Sequence, residues 1–227
     1  MSRLESDLFN YKSRYVKDGV LINKLGITNE EALNKAERMI TSYKLAKLYL
    51  EPNCEKFDIN EYLSIHKTLF GDIYPFAGEI RDENITKGIP FCLPNYIYQE
   101  LDRTLKIAKK KAKTIDSREK LLVFITELSS DLNIIHPFRE GNGRTEREFI
   151  RQFMDYICKM NNLEPYYLNY SLITDKQSYL NAIIKAAAYV DYSELLVLFD
   201  SIMIIKDKSI EQEEIEILEE YEEKFRK

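Results

Sequence analysis

Ile134-Ile135-His136-Pro137-Phe138-Arg139-Glu140-Gly141-Asn142-Gly143-Arg144-Thr145-Glu146-Arg147 joins two long amphipathic stretches, and that junction decides the fold. Upstream, Leu121, Leu122, Phe124, Ile125, Leu128 and Leu132 recur at helical spacing, which predicts a helix over about 117–135 with those residues buried. Downstream, Phe149, Ile150, Phe153, Met154 and Ile157 predict a second helix from near Asn142 to about Met160. Pro137 disfavours helical geometry at His136, so the first helix ends there and holds the imidazole at its rim.

The segments around this pair read the same way. A helix over 29–50 carries Leu33, Ala36, Met39, Ile40, Tyr43, Leu45 and Leu48, with Thr28 as N-cap and Glu31 completing a capping box. Asp58 caps a helix over 58–70. Residues 71–95 gather Gly71, Pro75, Gly78, Gly88, Pro90 and Pro94, and the short pieces flanking Gly88 predict a small hairpin. Further helices fit 96–113, 175–190, 192–206 and an acidic tail from about 209. The expectation is an all-α fold of about eight helices with one small β-hairpin.

Composition agrees: 44% apolar and 31% charged residues describe a globular chain, and only 7 glycines and 6 prolines interrupt it. The net charge of −5 argues against a nucleic-acid binder. Cys54, Cys92 and Cys158 are too few and too scattered for a disulfide framework or Cys-rich zinc site, which points to a reducing, cytoplasmic setting. The first ten residues lack the apolar core of a secretory signal, and the apolar run 195–205, broken by Asp200, is too short to span a bilayer. No membrane partner is expected.

The junction also carries chemistry. A helix that begins just after Gly141 and Gly143 presents unpaired N–H groups and a positive dipole end, a nest for phosphate. Arg139, Arg144 and Arg147 crowd that positive end, where each cation costs about 0.3–1 kcal/mol without an anion to answer it. Glu140 offers a hard oxygen for Mg²⁺, and His136 a group suited to general-base work. Singly, each feature has a structural reading: a helix-end histidine, or arginines paired with Glu146 and Glu148. Their concentration within twelve positions favours a site.

The segment resembles the signature of the Fic (filamentation induced by cyclic AMP) family, His-Pro-Phe-x-Asp/Glu-Gly-Asn-Gly-Arg-x-x-Arg, at every defined position. The stretches Leu21–Ile27 and Ile65–Arg81 also look like that family, with Phe76 where many members have tryptophan, so the likeness spans roughly 15–205. It implies a Fic-type domain over 1–206, with an N-terminal helical approach, a core at about 58–190 and a flap at about 84–93. The implied activity is protein adenylyl transfer: AMP from ATP, with Mg²⁺ or Mn²⁺, to a Ser, Thr or Tyr hydroxyl. By the same resemblance His136 takes the hydroxyl proton and Glu140 holds the metal. Gly141, Asn142, Gly143 and Arg144 form the anion hole, Arg147 orients the far phosphates, Phe138 anchors the loop, and Lys87 approaches the nucleotide from the flap. The flap docks the target protein by strand addition.

Tyr179 and Asn181 are expected near the adenine, and His66 is expected to be structural. The tail, 207–227, resembles the family's inhibitory helix through Ser209 and Glu213, the latter expected to pair with Arg147, although Glu214 replaces the usual Gly or Asn. An antitoxin-like partner is the other implied inhibitor. Two alternatives stay open: a donor other than ATP (or removal of AMP), and a partner-binding module of a toxin–antitoxin pair. The lysines at 106, 109, 110, 111 and 113 are expected to form a solvated helix face.

Overall fold

The computed structural model describes residues 13–225. In chain order the elements are β1 (Val16–Lys17), β2 (Val20–Leu21), α1 (Glu30–Leu50), α2 (Ile59–Phe70), β3 (Thr86–Lys87), β4 (Ile89–Pro90), α3 (Pro94–Ala112), α4 (Arg118–Ile135), α5 (Asn142–Met160), β5 (Tyr166–Leu168), α6 (Lys176–Tyr189), α7 (Ser193–Ile202), β6 (Met203–Ile205) and α8 (Lys208–Phe225). The expected helical domain is therefore present.

Helix α4 is the central post. It packs against α3, α5, α6 and α7, and Leu121, Ile125, Leu128 and Leu132 are all buried. Ser117 caps it by accepting from the Lys120 amide. Helix α5 brings Phe149, Phe153 and Ile157 into the same core, where Phe57 stacks on Phe153 at 4.7 Å and meets Phe149 edge-on at 5.8 Å. Helix α2 crosses α5, and α1 spans α2 on one side and α8 on the other. Tyr43 of α1 stacks on Tyr221 of α8 at 4.1 Å.

Four expectations are corrected. The cap of α1 is Asn29, not Thr28: its side chain accepts from the Ala32 amide at 2.9 Å, placing the helix start one residue later. The N-terminal approach is not helical where it is described; residues 1–12 lie outside the described residues. Asp18 and Gly19 both have positive φ (51° and 80°), the requirement of a tight hairpin turn, and they fold β1 onto β2. Helix α7 stops at Ile202 rather than 206, because Met203–Ile205 pairs antiparallel with Tyr166–Leu168. The single predicted hairpin, β3–β4 around Gly88, is thus accompanied by two more two-stranded sheets.

Candidate active site

The loop 136–141 is held from all sides before any ligand is considered. His136 closes α4 in the left-handed region (φ 46°, ψ 62°), its amide still donating to the Leu132 carbonyl at 3.1 Å. Phe138 is fully buried and stacks on the His66 ring at 3.7 Å, so it anchors the loop in the core. Asn142 closes the loop with its side chain, accepting from the Phe138 amide at 2.8 Å and donating to the Phe138 carbonyl at 2.7 Å. That side chain is committed to the scaffold; what remains for an anion at this position is backbone.

His66 is structural, as expected, and its role is specific. Nδ1 accepts from the Gly78 amide at 2.7 Å, so Nε2 carries the proton and donates to the Glu140 carbonyl at 2.8 Å. Burial pushes its pKa down to about 4, which keeps this tautomer neutral.

His136 faces the other way. Its ring stacks on Phe91 of the flap at 3.7 Å, with planes 5° apart. Nδ1 lies 3.2 Å from the Asn133 carbonyl, and since a carbonyl only accepts, Nδ1 holds the proton and Nε2 presents a lone pair. Burial, then the Arg81 guanidinium, depress its pKa to about 3, and Lys87 adds to the effect. The imidazole is a neutral base across the physiological range.

Helix α5 starts immediately beyond. Gly141 sits at φ 85° as N-cap, and no side chain caps the helix, so the first-turn N–H groups of Asn142, Gly143 and Arg144 form an uncapped positive end. Glu140 stands beside it, its carboxylate accepting from the Gly141 amide at 3.1 Å and lying 3.6 Å from Arg144. Among the described residues no cluster of three His, Cys, Asp or Glu side chains could hold a metal.

The three arginines part company. Arg139 is buried toward the N-terminal hairpin, where it lines a small cavity with Val16, Val20 and Leu33. Arg144 turns to α1, pairing with Glu37 at 2.6 Å, donating to Thr41 at 3.2 Å and lying over the Phe70 ring. Arg147 is half-buried above the Tyr170 ring at 5.3 Å, close enough to Tyr179 to oppose the rise that burial causes in that phenol's pKa. No ion pair reaches Arg147 among the described residues. A cavity of ≈ 170 Å³ runs along this side of α5, lined by Arg144, Arg147, Arg151, Tyr49, Tyr167 and Tyr170.

The remaining expected residues scatter. Lys87 is exposed on β3, whose turn at Gly88 rests near Ile184 of α6. Tyr179 borders the site, but Asn181 is exposed and accepts from Gln177 at 2.9 Å. In the tail, Ser209 donates to Asp207, and Glu213 is exposed and forms no ion pair with Arg147. The Glu213–Arg147 contact implied by the tail's resemblance is not formed in this arrangement, because α8 runs along α1 rather than across α5. The lysine stripe pairs with solvated acids, Lys106 with Asp102 and Lys111 with Glu127.

Glu37 and Arg81, which carry no local signal in the sequence, and Glu146, read there only as a salt-bridge partner, complete the site. Glu37 fixes Arg144. Glu146, buried against α4, accepts from Ser129 at 2.5 Å, and burial raises its pKa to about 7. Arg81, buried between flap and loop, donates to the His136 carbonyl at 2.8 Å.

Comparison with known proteins follows the same lines. Residues 56–154 match the profile of the Fic/DOC family. The chain is 35% identical over 143 residues to "Protein adenylyltransferase VbhT" of Bartonella schoenbuchensis, covering 59% of this chain and 28% of that protein. It is 29% identical over 152 residues to "Probable protein adenylyltransferase y4lH" of Sinorhizobium fredii, covering 64% and 78%. Among solved structures, the N-terminal Fic domain of a Bartonella quintana cell filamentation protein with bound ADP aligns at 27% identity and TM-score 0.74, covering 86% of this chain and 95% of that one. The chain thus spans little more than a quarter of the Bartonella schoenbuchensis relative. Signature, helical frame and neighbours agree with that match: residues 56–154 form a domain of the Fic/DOC type.

Proposed function

We propose that the protein is an adenylyltransferase that transfers AMP from ATP to a hydroxyl side chain of a target protein docked along the flap. One observation carries the reading: a neutral imidazole with its Nε2 lone pair unengaged stands at the rim of an uncapped helix N-terminus. The names of the relatives and the ADP in the neighbouring structure support it.

In this reading the α-phosphate rests on the N–H groups of Asn142, Gly143 and Arg144. The half-buried Arg147 answers the outer phosphates, since its charge has no carboxylate partner among the described residues. His136 Nε2 takes the proton from the incoming hydroxyl. The hydroxyl oxygen forms a bond to the α-phosphorus as the bond to the bridging oxygen breaks, and pyrophosphate leaves with that oxygen. The imidazolium then passes its proton to solvent. Preorganised donors and positioning supply most of the acceleration, as in other phosphoryl-type transfers.

Glu140 fits a divalent cation that draws most of its ligands from phosphate and water: it is a single hard oxygen donor at the rim, with 23% of its side chain exposed. Bound there, Mg²⁺ would supply charge neutralisation across the phosphates. The flap is a short antiparallel pair, Thr86–Lys87 with Ile89–Pro90, and target backbone would dock on it by strand addition.

Intact-mass spectrometry of the chain incubated with ATP and Mg²⁺ tests the proposal. A gain of one AMP mass, lost in His136→Ala, is expected. No gain with ATP but a gain with another nucleotide or phosphodiester donor would refute the choice of donor. No gain with any donor, alone or with cell extract as a source of targets, would refute transfer itself.

A further inference from the structure

Arg81 is almost fully buried, at 1% exposure, yet among the described residues no carboxylate pairs with it. Burying a charge costs several kcal/mol unless polar groups replace its water, and here three backbone carbonyls do so. Nε donates to His136 at 2.8 Å, Nη1 to Glu83 at 2.6 Å and Nη2 to Cys92 at 2.6 Å. The Arg81 amide adds a bond to the Pro137 carbonyl at 2.9 Å, and the Cys92 amide one to Ile134 at 2.9 Å. One guanidinium therefore stitches the segment entering the flap, the segment leaving it and the turn that carries the imidazole.

Carbonyls satisfy hydrogen bonds without cancelling charge. The cation remains beside His136, and the other groups facing that ring are the Phe91 ring, the Asn133 carbonyl and Lys87. Around Arg81 itself lie Tyr15, Cys92 and Arg139. None of these brings a negative charge at neutral pH.

We propose that Arg81 is a positioning residue: it locks the flap and His136 into one rigid unit and keeps a positive charge against the imidazole. The catalytic meaning of this rests on the adenylyltransferase reading. The flap would set where the hydroxyl arrives and His136 would receive its proton, so the two must keep a fixed separation. Burial keeps the base free of a proton at neutral pH, and the charge adds to that effect.

The chain has only two histidines, so NMR can follow both imidazoles in the intact protein through a pH titration, with His136→Ala giving the assignment. Three proteins are compared: wild type, Arg81→Lys and Arg81→Met. Lysine keeps the charge and loses the fork; methionine loses both. Arg81→Met is expected to raise the His136 midpoint by about half a unit or more, with His66 unmoved as internal control. Hydrogen exchange at the Cys92 amide should quicken about tenfold or more in both variants, because opening the flap no longer breaks the fork. In Arg81→Lys the His136 midpoint should stay close to wild type.

A role confined to stability would lower the melting temperature and leave the titration and the flap protection unchanged in folded protein, which would overturn the proposal. If Arg81→Met does not fold, Arg81→Lys decides: wild-type protection at Cys92 overturns it, and lost protection with a low midpoint supports it. None of these readouts needs turnover, so failure of AMP transfer in the wild type would remove the adenylyltransferase reading without touching this one.

Discussion

Gly141→Ala tests the geometry of the loop most directly. Gly141 lies at φ 85°, where an added Cβ costs about 1–2 kcal/mol from backbone strain alone. That Cβ would also stand 2.4 Å from Cε2 and 2.5 Å from Cζ of Phe70. Phe70 has no cheap retreat: it is fully buried, with the Arg144 guanidinium 4.7 Å from its centroid and the His66 ring 4.8 Å away. Overpacking of this kind adds about 1–3 kcal/mol. Together the two terms predict a loss of about 2–5 kcal/mol, or a melting temperature lower by about 5–15 °C for a domain of this size. Gly143→Ala is the built-in control, two residues along the same motif. Its φ is ordinary, nothing lies within 4 Å of the new Cβ, and it sits inside the first turn of α5. Alanine there should be neutral or stabilising by about 0.5 kcal/mol. Thermal and urea unfolding followed by circular dichroism measure both. A Gly141→Ala protein melting within about 2 °C of wild type would refute the claim that Phe70 is held rigidly under the loop.

Three other outcomes follow from the site. His136→Ala should bind ATP with wild-type affinity by calorimetry while transfer falls by about 10²–10⁴-fold; undiminished transfer would remove the imidazole from the reaction. Stability should fall as pH drops from 6.5 to 4.5. The folded pKa values of His66 and His136 are depressed to about 4 and about 3, so the unfolded chain takes up two more protons in that window, whereas Glu146, raised to about 7, holds one more proton when folded. The balance is about one proton, or about 1 kcal/mol per pH unit once the half-buried His136 is discounted, and Glu146→Gln should steepen it; a flat profile by urea titration would refute these environments. Glu213→Gly should change automodification by less than about twofold, because Glu213 is exposed and does not reach Arg147; a tenfold rise in AMP incorporation would show that α8 leaves α1 to cover the site.

The site was legible in sequence where it is local, and much less where it is assembled from afar. His136, Glu140, Gly141, Asn142, Gly143 and Arg147 fall within twelve residues, and the proline and glycines that shape the loop lie among them. Glu37 gave no such signal: it lies between Leu33 and Thr41 on the buried face of α1, and the arrival of Arg144 from 107 residues away, with Tyr74 donating to the other oxygen, explains a carboxylate there. Arg81 is the same case, its partners being backbone carbonyls that no pattern of side chains reveals. The Asp18-Gly19 hairpin was a different kind of miss, since Asp-Gly between Val16-Lys17 and Val20-Leu21 is a short-range turn signal. Met203–Ile205 could not be separated from α7 by periodicity, because the short apolar run 202–205 suits a buried helix end and a strand equally.

The crowding of cations at the start of α5 resolves into a division of labour. Arg139 and Arg144 lie near the positive helix end in sequence, but the fold spends the first on the N-terminal hairpin and neutralises the second with Glu37. Among the described residues, the uncapped helix end, Arg147, Lys87 and the buried Arg81 remain without an ion pair around the loop. Glu140 is the carboxylate facing them at the rim, and it already accepts from its own neighbour's amide. A group carrying several negative charges would relieve this set at one stroke, whereas a monoanion would leave most of it unanswered. His136 sits at the edge of that positive field, which adds to burial in keeping it a base rather than an acid. The electrostatics that would hold a polyphosphate therefore also help to keep the proton acceptor empty, and one arrangement of charges would serve both halves of the proposed transfer.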